Sequence, residues 1–384
     1  MAEFTFTGEQ QQLRAAVGKF CTENFTEATI RRLMESEVRY DPAVWRRLGT
    51  ELGVLGMSVP EADGGVGGSL VDQAVAVEAF GAALGCGPFF GTVYLAIPAL
   101  VACDSSDARG DLLAALIDGE RTAAFAVSDT AGAFDPNVTV TAGGSGDRVL
   151  LAGTANRVVD AGAADVALVA ARGDDGVGLY AVDAVDLRRT PLVTLDLTRP
   201  QADVVFADAP ARLLAGPADA ERVITHALQI GSALLAVEQV GAAQHMLDLS
   251  VDYAKSRVQF GRHIGSFQAV KHKLADMLVD LEHARSTAYH AVWALADGSD
   301  DPALAVSIAQ ATCSAAFSRI AADSIQVHGG IGFTWEHQAH LYFKRAATDA
   351  ALLGNAEQHR GRVAALVLDT AIVDEPPRVA AGVA

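Results

Sequence analysis

The chain has 384 residues, 51% of them hydrophobic and 20% charged, which is enough apolar material for two or three domains with a buried core and far from the composition of a disordered chain. Its formal net charge of −18 argues against nucleic acid or an anionic membrane surface as a partner, so an anionic ligand has to find local positive charge. Cys21, Cys86, Cys103 and Cys313 are scattered without a CxxC pair, which supports neither a zinc site nor a disulfide framework. The start, Met1-Ala2-Glu3-Phe4-Thr5-Phe6-Thr7, lacks a basic segment followed by an apolar one, and no run of about 18 uninterrupted apolar residues occurs. No signal peptide and no membrane span are therefore expected, and the expected setting is cytoplasmic.

Residues 1–120 read as an N-terminal helical domain. Thr7 with Gln10 three residues on has the pattern of a capping box. A helix is expected over Asp41 to Glu51, a turn over Pro60 to Gly65, and a further helix over Val71 to Leu84. Residues 121–217 change character. Short β-rich runs appear at Ala124–Val127, Val138–Thr141, Val149–Leu151, Val166–Ala170, Leu179–Val182 and Asp203–Phe206, with a Gly-rich turn predicted over Gly143 to Asp147. Strands without helices between them predict an antiparallel barrel or sandwich. Residues 218–371 return to the helical period. Val270, Leu274, Met277, Leu278 and Leu281 form one apolar stripe, and Leu304 to Val327 reads as a long Ala-rich helix. Residues 372–384, with Glu375-Pro376-Pro377, read as a loose tail. No internal repeat is visible.

Helices, then a β-domain, then a bundle of long helices is an uncommon order, and several motifs fit the same source. Phe4-Thr5-Phe6-Thr7-Gly8-Glu9-Gln10 resembles an opening F-x-x-S/T-x-E-Q, and Val59-Pro60-Glu61 with Gly64-Gly65 resembles a P-E-x-x-G-G turn. Arg257-Val258-Gln259-Phe260-Gly261 followed by Phe267-Gln268, together with Gln326-Val327-His328-Gly329-Gly330-Ile331-Gly332-Phe333, completes the pattern. The chain thus resembles the acyl-CoA dehydrogenase family over nearly its whole length. The resemblance implies an α+β fold of N-terminal helical domain, middle antiparallel β-domain and C-terminal four-helix bundle, with FAD as cofactor. It places Arg257, Gln259, Phe260, Phe267, Gln268, Gln326, Val327, Gly329 and Gly330 against the ADP half of a neighbouring subunit's FAD. The chemistry suits that role: Arg offers a planar fork to pyrophosphate, a helix opening at Gly265-Ser266 offers unpaired amides, and glycines admit close backbone approach. Taken singly, each piece has a bland reading as a helix end or a surface residue.

The other half of the family's machinery is missing. A carboxylate must take the α-proton of the acyl thioester, and its position beside that carbon is tightly restricted. Most members carry it in an E-G-T-S-Q segment. Counting 23 residues on from Gly330 reaches Leu353, within Leu352-Leu353-Gly354-Asn355-Ala356-Glu357. The alternative base position, 26 residues before Arg257, is Gly231, and nearby polar positions fall at Gln229 and Ser232. The T-E-P-x-A-G-S-D segment is reduced to Val127-Ser128-Asp129, and the W-I-T-N strand is replaced near Arg157-Val158-Val159-Asp160. No catalytic residue is therefore assigned. If the base has moved, Glu238, Glu357 and Asp349 are the candidates, against plain readings as a helix-face residue, a surface carboxylate and a residue serving a helix terminus.

Gly332-Phe333-Thr334-Trp335-Glu336-His337 and Leu353-Gly354-Asn355-Ala356 resemble the base-lacking subunit of actinobacterial α2β2 acyl-CoA dehydrogenases. That resemblance implies a homologous, base-bearing partner, an acyl-CoA substrate from lipid or steroid β-oxidation, and an acceptor of the electron-transfer flavoprotein type. Two alternatives stay open: a self-sufficient homotetramer with a relocated carboxylate, and a binding protein of the same fold without redox chemistry. His328, His337 and His340 do not make a metal site on sequence grounds, and Trp335 reads as packing at a subunit contact.

Overall fold

The computed structural model describes residues 6–104, 107–127, 138–145 and 148–369. Ser128, Asp129, Gly146, Asp147 and the predicted tail lie outside the described residues. Helix α1 (Gly8–Asn24) begins where the sequence places it: Thr7 Oγ1 accepts from the Gln10 amide at 3.2 Å and Gln10 Oε1 accepts from the Thr7 amide at 3.1 Å. Short α2 (Glu27–Leu33) follows a Thr26 cap, and α3 (Pro42–Thr50) opens on Asp41, whose carboxylate accepts from the Ala43 and Val44 amides. Helix α4 (Leu70–Ala82) has its own box between Ser69 and Asp72. A wide-turned π segment, Phe89–Ala96, runs into α5 (Ile97–Ala102), and α6 (Asp107–Ile117) ends the first helical region.

The β-region contains β1 (Ala123–Ala126), β2 (Val140–Ser145), β3 (Arg148–Val159), β4 (Val166–Gly173), β5 (Gly176–Asp183), β6 (Leu187–Pro191) and β7 (Gln201–Ala215). Pairing runs β4–β2–β3–β7–β5 and back to β4, so the sheet closes on itself as a barrel, with β1 added on β4 and β6 on β7. The expectation of a purely antiparallel domain is corrected at β4, which pairs parallel with β1 and β2. The Gly-rich turn is also shorter than predicted: Gly143, Gly144 and Ser145 are strand residues paired with Leu150, Val149 and Arg148. Strand β6 is not anticipated by the sequence, because Arg188, Arg189 and Pro191 carry no strand pattern and its other edge makes no pairing among the described residues. Leu151, Val169, Val182, Val204 and Phe206 fill the barrel interior.

Three long helices make the body of the C-terminal region: α7 (Ala220–Ser256), α8 (Gln268–Asp297) and α9 (Pro302–His328). Helices α10 (Ala339–Asp349) and α11 (Ala356–Ala364) pack on α9. Met277 and Leu281 of the predicted stripe are buried, whereas Leu278 lies at its edge and is half exposed. Helices α7 and α9 are long and apolar enough to cross a bilayer, but their most apolar windows are 78% and 61% buried inside the protein, as befits core helices. Helices α4 and α7 touch backbone to backbone. A Cβ on Gly241 would collide with the Glu78 carbonyl, and one on Gly81 with the Glu238 carbonyl.

This contact yields a paired prediction. Gly241→Ala should destabilise by about 1–3 kcal/mol through overpacking. Gly18→Ala, in the interior of α1 with nothing within 4 Å of the place a Cβ would take, should stabilise by about 0.5–1 kcal/mol. Urea midpoints of the two variants moving in the same direction would contradict the close α4–α7 contact.

Candidate functional site

Two regions hold the residues singled out by sequence. The first is one end of the helical bundle. Ser250 Oγ donates to Ser324 Oγ at 2.8 Å, Tyr253 stacks on His328 with centroids 4.6 Å apart, and Lys273 pairs with Asp323. These contacts bring the last turn of α7, the first turns of α8 and the last turn of α9 together. Arg257, Gln259, Phe260, Gln268, Gln326, Gly329 and Gly330 are all exposed at that end, and Phe260 is 90% exposed with φ +52°. Phe267 is half-buried under the Arg262 guanidinium, 3.9 Å from its ring centroid, and Val327 is buried beneath the others. Arg257 forms no ion pair among the described residues. Helix α8 opens on Phe267 without a side-chain cap among the described residues, leaving its first amides available as donors. Gly329 takes φ +66°, a conformation that favours glycine, so the backbone turns there without a side chain. Exposed cation, open helix N-terminus and bare glycine turn are a donor set that fits a pyrophosphate.

His328 and His337 pack with their rings tilted by 45° and centroids 4.3 Å apart, and His340 packs edge-on to Trp335. Their rings serve aromatic packing. Trp335 is largely exposed, with the Lys344 ammonium 4.4 Å over its face.

The second region is the junction of barrel and bundle, near the positions that the resemblance implies for base, flavin ring and thioester. Leu353 is buried at φ +54°, and its carbonyl accepts from His359 Nε2 at 2.8 Å. A side chain at Gly231 would strike Leu95, because α7 and the 89–96 segment are in contact there. Ser232 is buried, and its carbonyl accepts from Gln310 Nε2 at 2.8 Å, while Gln229 is half-buried. Neither base position carries an ionisable group.

Further along α7 the junction is filled by ions. Glu238, two turns after Gly231 on α7, accepts from Arg199, from Arg345 Nη1 at 2.5 Å and from Tyr94 Oη at 2.8 Å. Arg345 also donates to Asp196 Oδ2 at 2.7 Å and to Thr198 Oγ1 at 2.6 Å. Asp160, at the end of the replaced strand, accepts from the Gly91 amide at 2.9 Å. The Arg199 guanidinium lies 5.3 Å over the Phe90 ring. The void left among Phe80, Phe89, Phe90, Arg199 and Glu238 is about 10 Å³, the room of one water. A larger cleft of about 640 Å³ lies between α1, α2, α4, α7 and α10, and no predicted site residue lines it.

Electrostatics decide among the three fallback carboxylates. Burial alone would raise Glu238, but the Arg199 and Arg345 guanidiniums outweigh it and hold the carboxyl at about 2. It is an ion-pair anchor rather than a base. Glu357 is exposed in the first turn of α11, where its charge suits the helix dipole. Asp349 differs from its sequence reading. It ends α10, the end where the dipole disfavours an anion, and it is fully buried with neither oxygen hydrogen-bonded among the described residues. Burial pushes it up to about 7, more than the 3.6 Å approach of Arg199 Nε pulls it down.

Sequence reading missed Arg199, Arg345, Asp196 and Tyr94. One signal was available: Glu238 interrupts the apolar run Ala233–Val240, and a charge there needs a buried partner. Arg345→Met should therefore cost about 3–5 kcal/mol by stranding Glu238 and Asp196, and Glu238→Gln combined with it should recover at least about 1 kcal/mol in a double-mutant cycle. Additive denaturation energies would dissolve the coupling.

Comparison with known proteins supplies the relationship. Residues 7–120 match the acyl-CoA dehydrogenase N-terminal domain and residues 221–368 the acyl-CoA dehydrogenase C-terminal domain. The chain is 33% identical to the acyl-CoA dehydrogenase IpdE2 of Mycolicibacterium smegmatis over 94% of this chain and 99% of that protein. Among solved structures it superposes on the Tcur3481–Tcur3483 steroid acyl-CoA dehydrogenase with TM-score 0.84 and 30% identity, covering 95% of this chain and 99% of that one. It superposes on the ChsE4–ChsE5 complex of Mycobacterium tuberculosis with TM-score 0.86 and 28% identity, covering 97% and 100%. The chain belongs to the acyl-CoA dehydrogenase family, FAD-dependent oxidoreductases that act on CH–CH groups.

Proposed function

We propose that this chain is the base-lacking subunit of an α2β2 acyl-CoA dehydrogenase, and that it completes the FAD site of a homologous partner that keeps its catalytic carboxylate. The observation that carries this reading is the contrast between the two regions. The ADP-side edge is open and equipped with Arg257, Gln268 and the Gly329-Gly330 turn. The barrel–bundle junction, where this reading would seat flavin ring and thioester, is packed by Arg199, Glu238 and Arg345 around a void of about 10 Å³. An acyl thioester cannot enter a space that admits one water. Two structural relatives are named as pairs of different proteins, ChsE4–ChsE5 and Tcur3481–Tcur3483, which supports a two-gene assembly, and the second is named a steroid enzyme. A steroid or fatty acyl-CoA is accordingly the substrate class, with an acceptor of the electron-transfer flavoprotein type.

In this division of labour, bound FAD supplies the acceptor for the substrate's β-hydride. The role of this chain is binding and orientation: Arg257 and the α8 amides face the pyrophosphate, and the glycine turn lets backbone approach the adenosine side. The α-proton goes to the partner's carboxylate. A relocated base finds two carboxyls of raised proton affinity here, but Asp349 lines no cavity among the described residues and Asp160 borders only voids of about 10 Å³. The homotetrameric alternative is disfavoured for that reason.

Three outcomes follow. Co-expression with the homologous partner should give an α2β2 assembly with two FAD, whereas this chain alone, given FAD, should not bleach under an anaerobic panel of acyl-CoAs. A yellow homotetramer with one FAD per chain that bleaches would sink the reading, and a flavin-free assembly would favour the non-redox alternative. Arg257→Ala in the assembly should weaken FAD binding about 10- to 100-fold, since a charge-assisted contact is worth about 1.5–3 kcal/mol. Unchanged flavin retention on gel filtration would remove Arg257 from the site.

A further inference from the structure

The ion cluster does more than close a space. Its six charged side chains come from both sides of the junction: Asp160 from the end of β3, Asp196 and Arg199 from the β6–β7 connection, Glu238 from α7, and Arg345 and Asp349 from α10. All are buried. Arg199 and Arg345 cross from barrel to bundle in both directions, since Arg199 reaches Glu238 while Arg345 reaches Asp196 and Thr198. Two guanidiniums thus face four carboxyl groups, a formal charge of −2 if every carboxyl were ionised (two positive, four negative). Uncompensated buried charge of that size is strongly unfavourable. Protonating Asp349 removes half of that imbalance, and it is the carboxyl whose two oxygens are both sealed without a hydrogen-bond partner among the described residues.

We propose that this cluster is a cofactor-independent latch: it fastens the barrel to the bundle with a proton held on Asp349, so that the barrel of this chain stays docked whether or not flavin is bound in the assembly. The latch itself rests only on the ion cluster. The comparison with a flavin-bearing partner rests on the proposed function.

The groups facing Asp349 are Arg199 and Asp196 from the β6–β7 connection, Glu238 from α7 and Arg345 from its own helix. Beyond them lie Tyr94 of the 89–96 segment, Asp160 of β3 and Cys86, a thiol that burial pushes up to about 12. Burial likewise raises Asp160, to about 6. Asp349 folded at about 7 stands above its unfolded value near about 3.9. Its contribution is therefore complete at low pH and is lost as pH rises through about 7. The latch should be firmest in acid, weaken as pH rises from about 4 to about 7, and change no further above that.

Hydrogen exchange of the heterotetramer, corrected for intrinsic rates, tests this on barrel segments 148–159 and 201–215. Removing FAD should leave these segments of this chain as protected as before while loosening the partner's barrel. The double variant Glu238→Gln, Arg345→Met should speed their exchange at least tenfold with two FAD still bound. Wild type should lose protection as pH rises from about 5 to about 7 and level off above it, and Asp349→Asn should lose clearly less. Loosening of this chain's barrel on FAD removal, protection unchanged in the double variant, or identical pH profiles for wild type and Asp349→Asn would each overturn the latch. If the double variant does not fold, the FAD-removal and Asp349→Asn arms still decide. Finding one FAD per chain in wild type would instead overturn the proposed function, and the pH arm would still test the latch.

Discussion

The contact on which the rest of the molecule depends is the pair of buried arginines, Arg199 and Arg345, converging on Glu238. A guanidinium removed from water needs compensating charge, and these two find their carboxylates on opposite sides of a domain junction, although Arg199 Nη1 has no hydrogen-bond partner among the described residues. The β6–β7 connection, α7 and α10 are therefore held in one mutual position. That position leaves room for about one water. The same residues that secure the barrel leave no larger room beside them among the described residues.

The exposed end of the bundle is the complement of this closure. The chain is strongly acidic, yet Lys255, Arg257, Arg262, Lys271 and Lys273 gather around the α7–α8 turn, supplying local positive charge against the global field. Phe260, Phe333 and Trp335 are exposed in the same C-terminal region, where large apolar side chains in water mark a contact surface.

What the sequence by itself determined is local. Thr7 with Gln10, Asp41 with Pro42, and Ser69 with Asp72 set helix starts because capping involves neighbours within three residues. Apolar periods marked the long helices, and six β-rich runs marked six of the seven barrel strands. The non-ionisable Leu353 and Gly231 were legible too, since a missing carboxylate is a matter of composition at a position. Only the tertiary structure decided what stands in the base's place. Glu238 and Arg199 are 39 residues apart, and Arg345 lies 107 from Glu238, distances at which no periodicity or motif signals a contact. Strand β6 and the parallel pairings of β4 were hidden for the same reason, as pairing partners are chosen by the closing of the barrel. Asp349 shows the limit most plainly. Its sequence context is an ordinary helix end, and its proton is set by burial among charges contributed by two other segments of the chain.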